Sequence, residues 1–236
     1  MKGIRKFTYK VLNRLIHSNG FGNVELYKQL LRHLPDTPLN YVDVGAYDGD
    51  FFDVICKEKK IGNAILIEPQ EDLYQKLVSK YKDRKWVELF PNLLSDHEGE
   101  FSFFVQEMKA TSSILKMDEK IIGDDLNTHQ NNELRLKATT LDLILKNKLD
   151  TIDLLKIDVQ GAELLVLKGG ANILARTKRI WIEVSFLPLY RESAVFGDIH
   201  NFLYEKNFKL VTLLEGYTKR DGELLQADCL YENKMQ

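Results

Sequence analysis

The fold is decided by the stretch Asn40-Tyr41-Val42-Asp43-Val44-Gly45-Ala46-Tyr47-Asp48-Gly49-Asp50. A short apolar run with β-branched residues ends in an acid, and two glycines follow before a segment with helical spacing. This order predicts a buried strand over 39–44, a tight turn and the N-terminus of a helix. Gly45 would let the backbone turn sharply and approach a ligand, and Gly49 would let the helix pack against the strand.

A second acid, Glu68, follows the next apolar run, residues 64–67. It lies 25 residues after Asp43, which fits one strand–helix–strand unit with an acid at the tip of its second strand. A carboxylate at that place can accept hydrogen bonds from ribose hydroxyls. The two stretches together predict a nucleoside-binding crevice at the carboxyl ends of neighbouring strands.

Composition limits the class of protein. A chain of 236 residues, 44% of them hydrophobic, can bury one large core, so a single domain over 1–236 is predicted. The net charge of −2 gives no reason to expect a nucleic-acid partner. Cys56 and Cys229 have neither a near partner nor metal-ligand spacing, which indicates free thiols in a reducing compartment. No apolar run approaches the ~18 residues that span a bilayer, and no signal peptide is visible, so a cytoplasmic protein is predicted.

The first 35 residues are predicted to form an N-terminal helical cap on an α/β body over 36–236. Residues 1–17 carry apolar side chains at helical spacing and five positive charges without an acid. A helix that lies on a membrane surface or on a partner is therefore the alternative to a packed cap, which is the preferred interpretation. A second helix is predicted over 24–34, where Pro35 ends it.

Strands and helices alternate through the body, which predicts an open twisted sheet with helices on both faces. Helices are predicted over 50–60 (closed by Gly62), 72–81, 163–173 and 198–206. Strands are predicted over 39–44, 64–68, 85–94, 100–106, 153–157, 179–186, 208–214 and 224–232, the last two as an antiparallel pair. The polar segment 107–137 is either a lid over a site or an ordinary surface loop.

Polar residues lie where the predicted strands end. They are Asp43, Glu68, Asn92, Asp158 and Glu183. Any one of them is explained equally well as a helix N-cap or a loop contact. Five at the carboxyl edge of one sheet favour a ligand site, because open α/β sheets bind their ligands there.

The glycine turn discriminates between nucleoside ligands. A nicotinamide enzyme would need Gly-x-Gly-x-x-Gly, so that a helix N-terminus can meet a pyrophosphate. Here Asp43 precedes the turn and Asp48 lies inside it, and this negative charge opposes a diphosphate. It suits a cation that carries an ammonium and a sulfonium group, which indicates S-adenosylmethionine.

Several motifs resemble those of the FkbM family of S-adenosylmethionine-dependent methyltransferases. They are Asp-Val-Gly-Ala-x-x-Gly at 43–49, Glu68-Pro69, Ser95-Asp96 with Gly99, Thr140-Leu141-Asp142 and Leu155-Lys156-Ile157-Asp158-Val159-Gln160-Gly161-Ala162-Glu163. The resemblance extends over 40–186 in register and is most specific at 155–163. It implies a class I methyltransferase fold, a Rossmann-like sheet of seven mostly parallel strands whose last strand is antiparallel. It also implies O-methylation, often of sugar, glycan or natural-product hydroxyls.

The resemblance further implies which residues meet the cofactor. Those assigned to its methionyl part are Asp43, Gly45, Ala46 and Gly49, and Tyr47 and Asp48 of the same turn are assigned to the cofactor without a stated part. Glu68, followed by Pro69, would hold the ribose, and the residues assigned to adenine are Asn92, Leu93 and Ser95. Two positions depart from the family pattern. Tyr47 stands where many members have Asn, and Gln160 replaces the Glu of Asp-Val-Glu-Gly-Ala-Glu, so no carboxylate chemistry is expected at 160.

Methyl transfer needs an acceptor oxygen in line with the sulfonium and a group that takes the hydroxyl proton. Asp158 is the first candidate for that base and Glu183 the second. Alternatively, Asp158 makes only an electrostatic contact with the cofactor, or Asp158 and Glu183 hold a divalent metal, which is not favoured.

Two further classes of protein compete with a methyltransferase: an NAD(P)-dependent oxidoreductase of the nucleotide-sugar type and a non-catalytic cofactor-binding module. The predicted partner is a small-molecule or glycan acceptor and not nucleic acid. The sequence identifies neither the acceptor nor the oligomeric state.

Overall fold

The computed structural model describes residues 22–118, 130–219 and 222–235. Its main sheet has seven strands in the order β3-β2-β1-β7-β8-β10-β9. These strands are β1 (Leu39–Val44), β2 (Ile61–Ile67), β3 (Val87–Phe90), β7 (Leu154–Ile157), β8 (Arg179–Ser185), β9 (Phe208–Glu215) and β10 (Gln226–Asn233). Strands β3, β2, β1, β7 and β8 are parallel, and β10 is antiparallel to β8 and β9. The predicted fold class, with its antiparallel last strand, is confirmed.

Helices cover both faces of this sheet. They are α1 (Gly22–His33), α2 (Asp50–Glu58), α3 (Glu71–Tyr81), α4 (Leu141–Ile144), α5 (Glu163–Lys168), α6 (Ala171–Leu174) and α7 (Phe196–Glu205). Because side chains alternate along a strand, β1 sends Val42 into one hydrophobic core and Tyr41 into the other. Both faces of the sheet are therefore covered in the described part of the chain, so a ligand can reach the sheet at the ends of its strands.

A second, smaller sheet departs from the predicted strand pattern. It has the order β4-β6-β5, with β4 (Leu93–Leu94), β5 (Gly99–Gln106) and β6 (Gln130–Thr139). The strand predicted over 85–94 is thus two strands in different sheets. Pro91 stands between them, and its missing backbone N–H cannot join a ladder.

The segment 107–137, predicted to be a polar lid or loop, is partly regular structure. Residues 109–111 form a 3₁₀ turn, and residues 130–137 belong to β6, which pairs antiparallel with β5. Leu134, Leu136 and Ala138 alternate with polar residues in β6. This period of two was the signal for a strand.

Two helix boundaries also differ from prediction. Helix α2 ends at Glu58, and Gly62 is a residue of β2 and does not close the helix. Pairing between β1 and β2 starts at Leu39 and Ile61, which draws Gly62 into the strand. The single helix predicted after 163 is the two short helices α5 and α6, divided at Gly169 and Gly170.

Only part of the predicted N-terminal helical cap lies among the described residues. Helix α1 confirms the helix predicted over 24–34, whereas the helix predicted over 1–17 lies outside the described residues. Among the residues that are described, no helix is both long and apolar enough to cross a membrane. The cytoplasmic location and the division into a cap and a body stay predictions.

Candidate functional site

A cavity of about 350 Å³ opens at the carboxyl ends of β1, β2, β7 and β8. One end is lined by the turn after β1 and the tip of β2. The other is lined by carboxylates after β7 and on β8 and β10, and by apolar residues of 114–117 and 189–217. This is the edge at which open α/β sheets bind ligands.

Gly45 is required by the close packing of the first turn. Its φ is 79°, and a Cβ built on it would lie 1.9 Å from the carbonyl oxygen of Asp158. The backbone N–H groups of Gly45 and Ala46 both donate to the carbonyl of Ile67, at 3.0 and 3.1 Å. The tips of β1, β2 and β7 are thereby held together, with Ala46, Tyr47 and Asp48 in the cavity wall.

Glu68 lies at the tip of β2 and is only 3% exposed. Its Oε2 accepts a hydrogen bond from the backbone N–H of Tyr47, and its Oε1 accepts one from the N–H of Gln70, both at 2.9 Å. Burial raises the pKa of this carboxyl group to about 7. Each carboxylate oxygen has a second lone pair, so Glu68 can still accept hydrogen bonds from two ligand hydroxyls.

Three further predicted cofactor residues share this end of the cavity. Pro69 follows Glu68 in the wall, and the wall also includes Asn92, from the β3–β4 connection, and Leu93, the first residue of β4. The structure therefore brings together ten of the predicted site residues around one cavity: Gly45, Ala46, Tyr47, Asp48, Glu68, Pro69, Asn92, Leu93, Asp158 and Glu183.

Asp43, Gly49 and Ser95 lie behind the cavity wall. Gly49 begins α2 with a φ of 79°, and its carbonyl accepts a hydrogen bond from the hydroxyl of Tyr81 at 3.0 Å. Ser95 is fully buried, and its backbone carbonyl packs against Gly169.

Asp43 is fully buried in an ion pair with Lys156, its neighbour across β1 and β7. Lys156 Nζ lies 3.1 Å from Asp43 Oδ1, and the hydroxyl of Tyr41 donates to Oδ2 at 2.7 Å. Lys156 also donates to the carbonyl of Gly45 at 3.1 Å. Sequence reasoning missed Lys156, although a lysine inside an apolar strand predicts a buried acid beside it.

The second half of the site is a group of carboxylates. Asp158 follows β7, and Glu183 lies on β8, directly opposite Asp228 of β10. Burial and the neighbouring Asp158 and Asp228 raise the pKa of Glu183 well above its usual value. Burial and Asp158 raise the pKa of Asp228 to about 7. Sequence reasoning missed Asp228, because the register of β10 against β8 decides which of its residues face the cavity.

Two glutamines donate to these carboxylates. Gln160 Nε2 lies 2.8 Å from Asp158 Oδ1 and 3.0 Å from Glu183 Oε2. Gln226 Nε2 donates to the same Glu183 oxygen at 2.8 Å. The carboxylates are therefore stabilised by hydrogen bonds from the two amides and, at Asp158, by the charge of Lys156, whose Nζ lies 3.6 Å from Oδ2.

A divalent ion has a geometric candidate in this group. Asp158, Glu163 and Glu183 each present a carboxylate oxygen within 4.8 Å of the other two. Glu163, however, accepts hydrogen bonds from the backbone N–H groups of Val159 and Gly161, at 3.0 and 3.1 Å. The amide of Gln160 also donates between the other two carboxylates. The arrangement is that of a hydrogen-bonded turn, and no metal is assigned to it.

The order of the strands, the glycine turn and the acid at the tip of β2 define the class I fold of S-adenosylmethionine-dependent methyltransferases. Residues 43–210 match the family model of the methyltransferase FkbM domain. The chain therefore belongs to the FkbM methyltransferase family. The predicted family and the predicted cofactor, S-adenosylmethionine, are confirmed. In a comparison with curated protein sequences, no relative matches this chain.

Solved structures share the fold at low sequence identity. Methyltransferase FkbM from Methylobacillus flagellatus KT has a TM-score of 0.53 at 14% identity, covering 89% of this chain and 58% of its own. A proposed tRNA (m1A22) methyltransferase from Streptococcus pneumoniae has a TM-score of 0.50 at 14% identity, covering 87% and 68%. A proposed RNA methyltransferase from Pyrococcus horikoshii has a TM-score of 0.50 at 11% identity, covering 93% and 89%. This chain thus spans little more than half of the FkbM structure, and these likenesses show the fold alone.

Proposed function

We propose that this protein transfers a methyl group from S-adenosylmethionine to a hydroxyl group of a sugar, glycan or natural-product acceptor. One observation carries the proposal. A single cavity contains both a nucleoside-type end, formed by the Gly45 turn and Glu68, and a carboxylate end, formed by Asp158 and Glu183. A cofactor and an acceptor bound at these ends would meet beside Asp158.

The chemistry of the cavity wall fits this cofactor. Glu68 is placed to accept hydrogen bonds from both ribose hydroxyls, and Asn92 and Leu93 would border the adenine. The ammonium and sulfonium charges of the cofactor suit the carboxylates of Asp48 and Asp158, which both line the cavity. The cofactor supplies an electrophilic methyl group, and the protein does not need to activate it further.

The residues of the chain supply alignment and proton transfer. Alignment of an acceptor oxygen in a closed cavity can lower a barrier by ~7–11 kcal/mol, and a positioned base adds ~10²–10⁴-fold. Asp158 is the better candidate for the base. The raised pKa of Glu183 leaves less of that group ionised near neutral pH, so Glu183 is placed second.

The acceptor end favours a neutral or cationic compound of small size. Its wall combines carboxylates with the apolar and aromatic side chains of Met117, Leu189, Tyr190 and Tyr217. Apolar and aromatic side chains suit the faces of a sugar or polyketide ring. A nucleic-acid acceptor would bring phosphates next to the carboxylate of Asp158, which repels them. The fold shared with RNA methyltransferases makes RNA the first competing acceptor to test.

Calorimetry with S-adenosylhomocysteine and NAD in parallel is the first experiment. Binding of S-adenosylhomocysteine alone is expected, whereas binding of NAD alone would favour the oxidoreductase. A screen with labelled methyl donor then compares sugars, glycans, natural-product alcohols and a short RNA. Label in a hydroxyl acceptor supports the proposal, and label only in RNA contradicts it.

Glu68→Ala should weaken the binding of S-adenosylhomocysteine by ~1–3 kcal/mol, because a buried carboxylate that accepts ribose hydroxyls is removed. The dissociation constant is measured by calorimetry. Glu71→Ala, an exposed glutamate three residues further on, is the matched control and should bind as tightly as the wild type. Unchanged affinity in a folded Glu68 variant would reject the ribose role.

Cofactor affinity should also depend on pH. Glu68 has a pKa of about 7 and accepts hydroxyl hydrogen bonds best when ionised, so binding must release its proton at lower pH. Affinity should therefore fall as pH decreases from 8 to 6, by up to about tenfold per unit below the pKa. Glu68→Gln should flatten this profile in the same titrations. If wild type and variant had the same dependence of cofactor affinity on pH, the titrating group would be Asp228 or Glu163, whose pKa values burial also raises to about 7.

A further inference from the structure

We propose that Gln160 is a positioning residue, which holds Asp158 and Glu183 as an aligned carboxylate pair and ties this pair to the acceptor-side wall of the cavity. The catalytic consequence rests on the proposed function. The geometric role does not, and it can be tested without an acceptor.

The first part of the argument is the direction of the amide. A glutamine amide has two N–H donors on nitrogen and one acceptor oxygen. Nε2 of Gln160 lies 2.8 Å from Asp158 and 3.0 Å from Glu183, so each carboxylate can receive one N–H. Ionised carboxylates only accept hydrogen bonds. With the nitrogen facing the acids, the oxygen faces the hydroxyl of Tyr190, which can donate a hydrogen bond to it.

The oxygen of this amide is held by the opposite wall. Tyr190 is 2% exposed, and its hydroxyl lies 3.1 Å from Gln160 Oε1 and 2.9 Å from the carbonyl of Thr111. The Tyr190 ring packs so closely on Gly161 that a Cβ there would lie 2.8 Å from it. Tyr190 also forms a β-bridge with Met117. Gln160 thus connects two segments of the acceptor-side wall to the carboxylate pair.

The backbone conformation of Gln160 directs its side chain toward the two acids. Gln160 has a φ of 57°, a left-handed conformation that is costly for a residue with a Cβ. The carboxylate of Glu163 holds the turn by accepting the N–H groups of Val159 and Gly161. Such strain persists only where the surroundings enforce it, and here it directs the amide between Asp158 and Glu183.

The bridge joins both carboxyl groups to one amide nitrogen, so neither can turn away without losing a hydrogen bond. Lys156 restrains the second oxygen of Asp158 at 3.6 Å. Asp158 is therefore held from both sides, which keeps a proton acceptor aligned with its substrate. The amide also occupies the space in which a divalent ion would bridge Asp158 and Glu183, so the pair is expected to work without a metal.

The test compares Gln160→Met with Gln226→Met. Both changes remove an amide donor from the same oxygen of Glu183 without adding charge, but only the first also releases Asp158 and Tyr190. With an acceptor from the labelled-methyl screen, Gln160→Met should lower kcat about 30-fold or more. The Kd for S-adenosylhomocysteine should stay within about threefold, and Gln226→Met should lose less than about fivefold in kcat. Equal losses in kcat for the two variants would overturn the positioning role.

A structural readout keeps this test independent of turnover. Crystal structures of wild type and Gln160→Met with S-adenosylhomocysteine should show the carboxylates of Asp158 and Glu183 further apart by about 1 Å in the variant. Unmoved carboxylates would overturn the proposal. If no hydroxyl acceptor is found, the proposed function fails, and this comparison still decides the role of Gln160.

Two more measurements complete the test. Tyr190→Phe keeps the ring on Gly161 but frees the amide oxygen, and it should lower kcat about threefold to tenfold. This variant replaces Gln160→Met if Gln160→Met does not fold. A wild-type kcat in Tyr190→Phe would show that the contact between Tyr190 and Gln160 does not position the carboxylates. A wild-type enzyme that is inactivated by a chelator and restored by Mg²⁺ would overturn the metal-free pair.

Discussion

Asp158→Asn should lower kcat at least ~10²-fold and leave the Kd for S-adenosylhomocysteine within about threefold. The asparagine keeps the shape of the side chain and can still accept a hydrogen bond from Gln160. It removes the negative charge, and an amide oxygen is too weak a base to take the hydroxyl proton. Asp158 follows β7, the strand beside β1, so it lies next to the Gly45 turn and is also linked to Glu183 through Gln160.

A purely electrostatic role for Asp158 gives a different result. The cofactor carries a sulfonium charge, and its product S-adenosylhomocysteine carries a neutral thioether. If Asp158 only pairs with that charge, the Kd for S-adenosylmethionine should rise more than the Kd for the product, and kcat at saturation should largely recover. Measuring both dissociation constants and kcat in one variant separates the roles. Near-wild-type values of all three would mean that the site is centred elsewhere.

Asp153→Asn is the matched control. Asp153 is a buried acid beside the opposite end of β7, where it accepts hydrogen bonds from the backbone of Asn40 and from Lys178. The same acid-to-amide change there should alter stability but not kcat per folded molecule. A loss of kcat in both variants would indicate a general effect of weakening β7.

The fold was predictable where local pattern and burial agree. Strand β1 has the predicted bounds 39–44, because an apolar run stops at a glycine that the turn requires. The seven-stranded sheet with its antiparallel last strand followed from the alternation of strands and helices together with the family resemblance. Errors arose where tertiary pairing overrode a local signal. Pro91 moves the chain into the second sheet, and Gly62 is paired in β2 although it resembles a helix stop.

The candidate site was predictable only along single strands. Asp158, Glu68 and Glu183 were predicted because each stands at or near the end of a predicted strand. Lys156 and Asp228 were missed because their contacts lie across strands, at Asp43 and Glu183, and depend on register. The register between two strands depends on which residues of both strands must face the core, and this cannot be read from either strand alone. For the same reason the side chain of Asp43, assigned to the cofactor from sequence, lies behind the cavity wall.

Lys156→Met should be the most destabilising of the substitutions considered, at about 3–5 kcal/mol, because it leaves Asp43 buried without its cation. Asp43 is 0% exposed and Lys156 is 6% exposed. A loss of this size corresponds to a fall in Tm of roughly 10 °C for a chain of this length. Thermal and urea unfolding at pH 8 measure it. The carbonyl of Gly45 loses its lysine donor as well, so the affinity for S-adenosylhomocysteine should also fall.

The double variant Asp43→Asn with Lys156→Met shows whether the uncompensated charge is the cause. The asparagine is neutral and can still accept the hydrogen bond from Tyr41. It should recover more than half of the stability that Lys156→Met loses.

Lys178→Met is the matched control, because it removes a lysine from buried Asp153 at 2.9 Å but its own side chain is 40% exposed. Exposed ion pairs contribute ~0–1 kcal/mol, so little change is expected there. If Lys156→Met were no more damaging than Lys178→Met, Asp43 would have to be protonated in the folded protein. Burial raises the pKa of Asp43. In that case the free energy of unfolding of Lys156→Met should decrease as pH rises, because Asp43 then loses its proton inside the core.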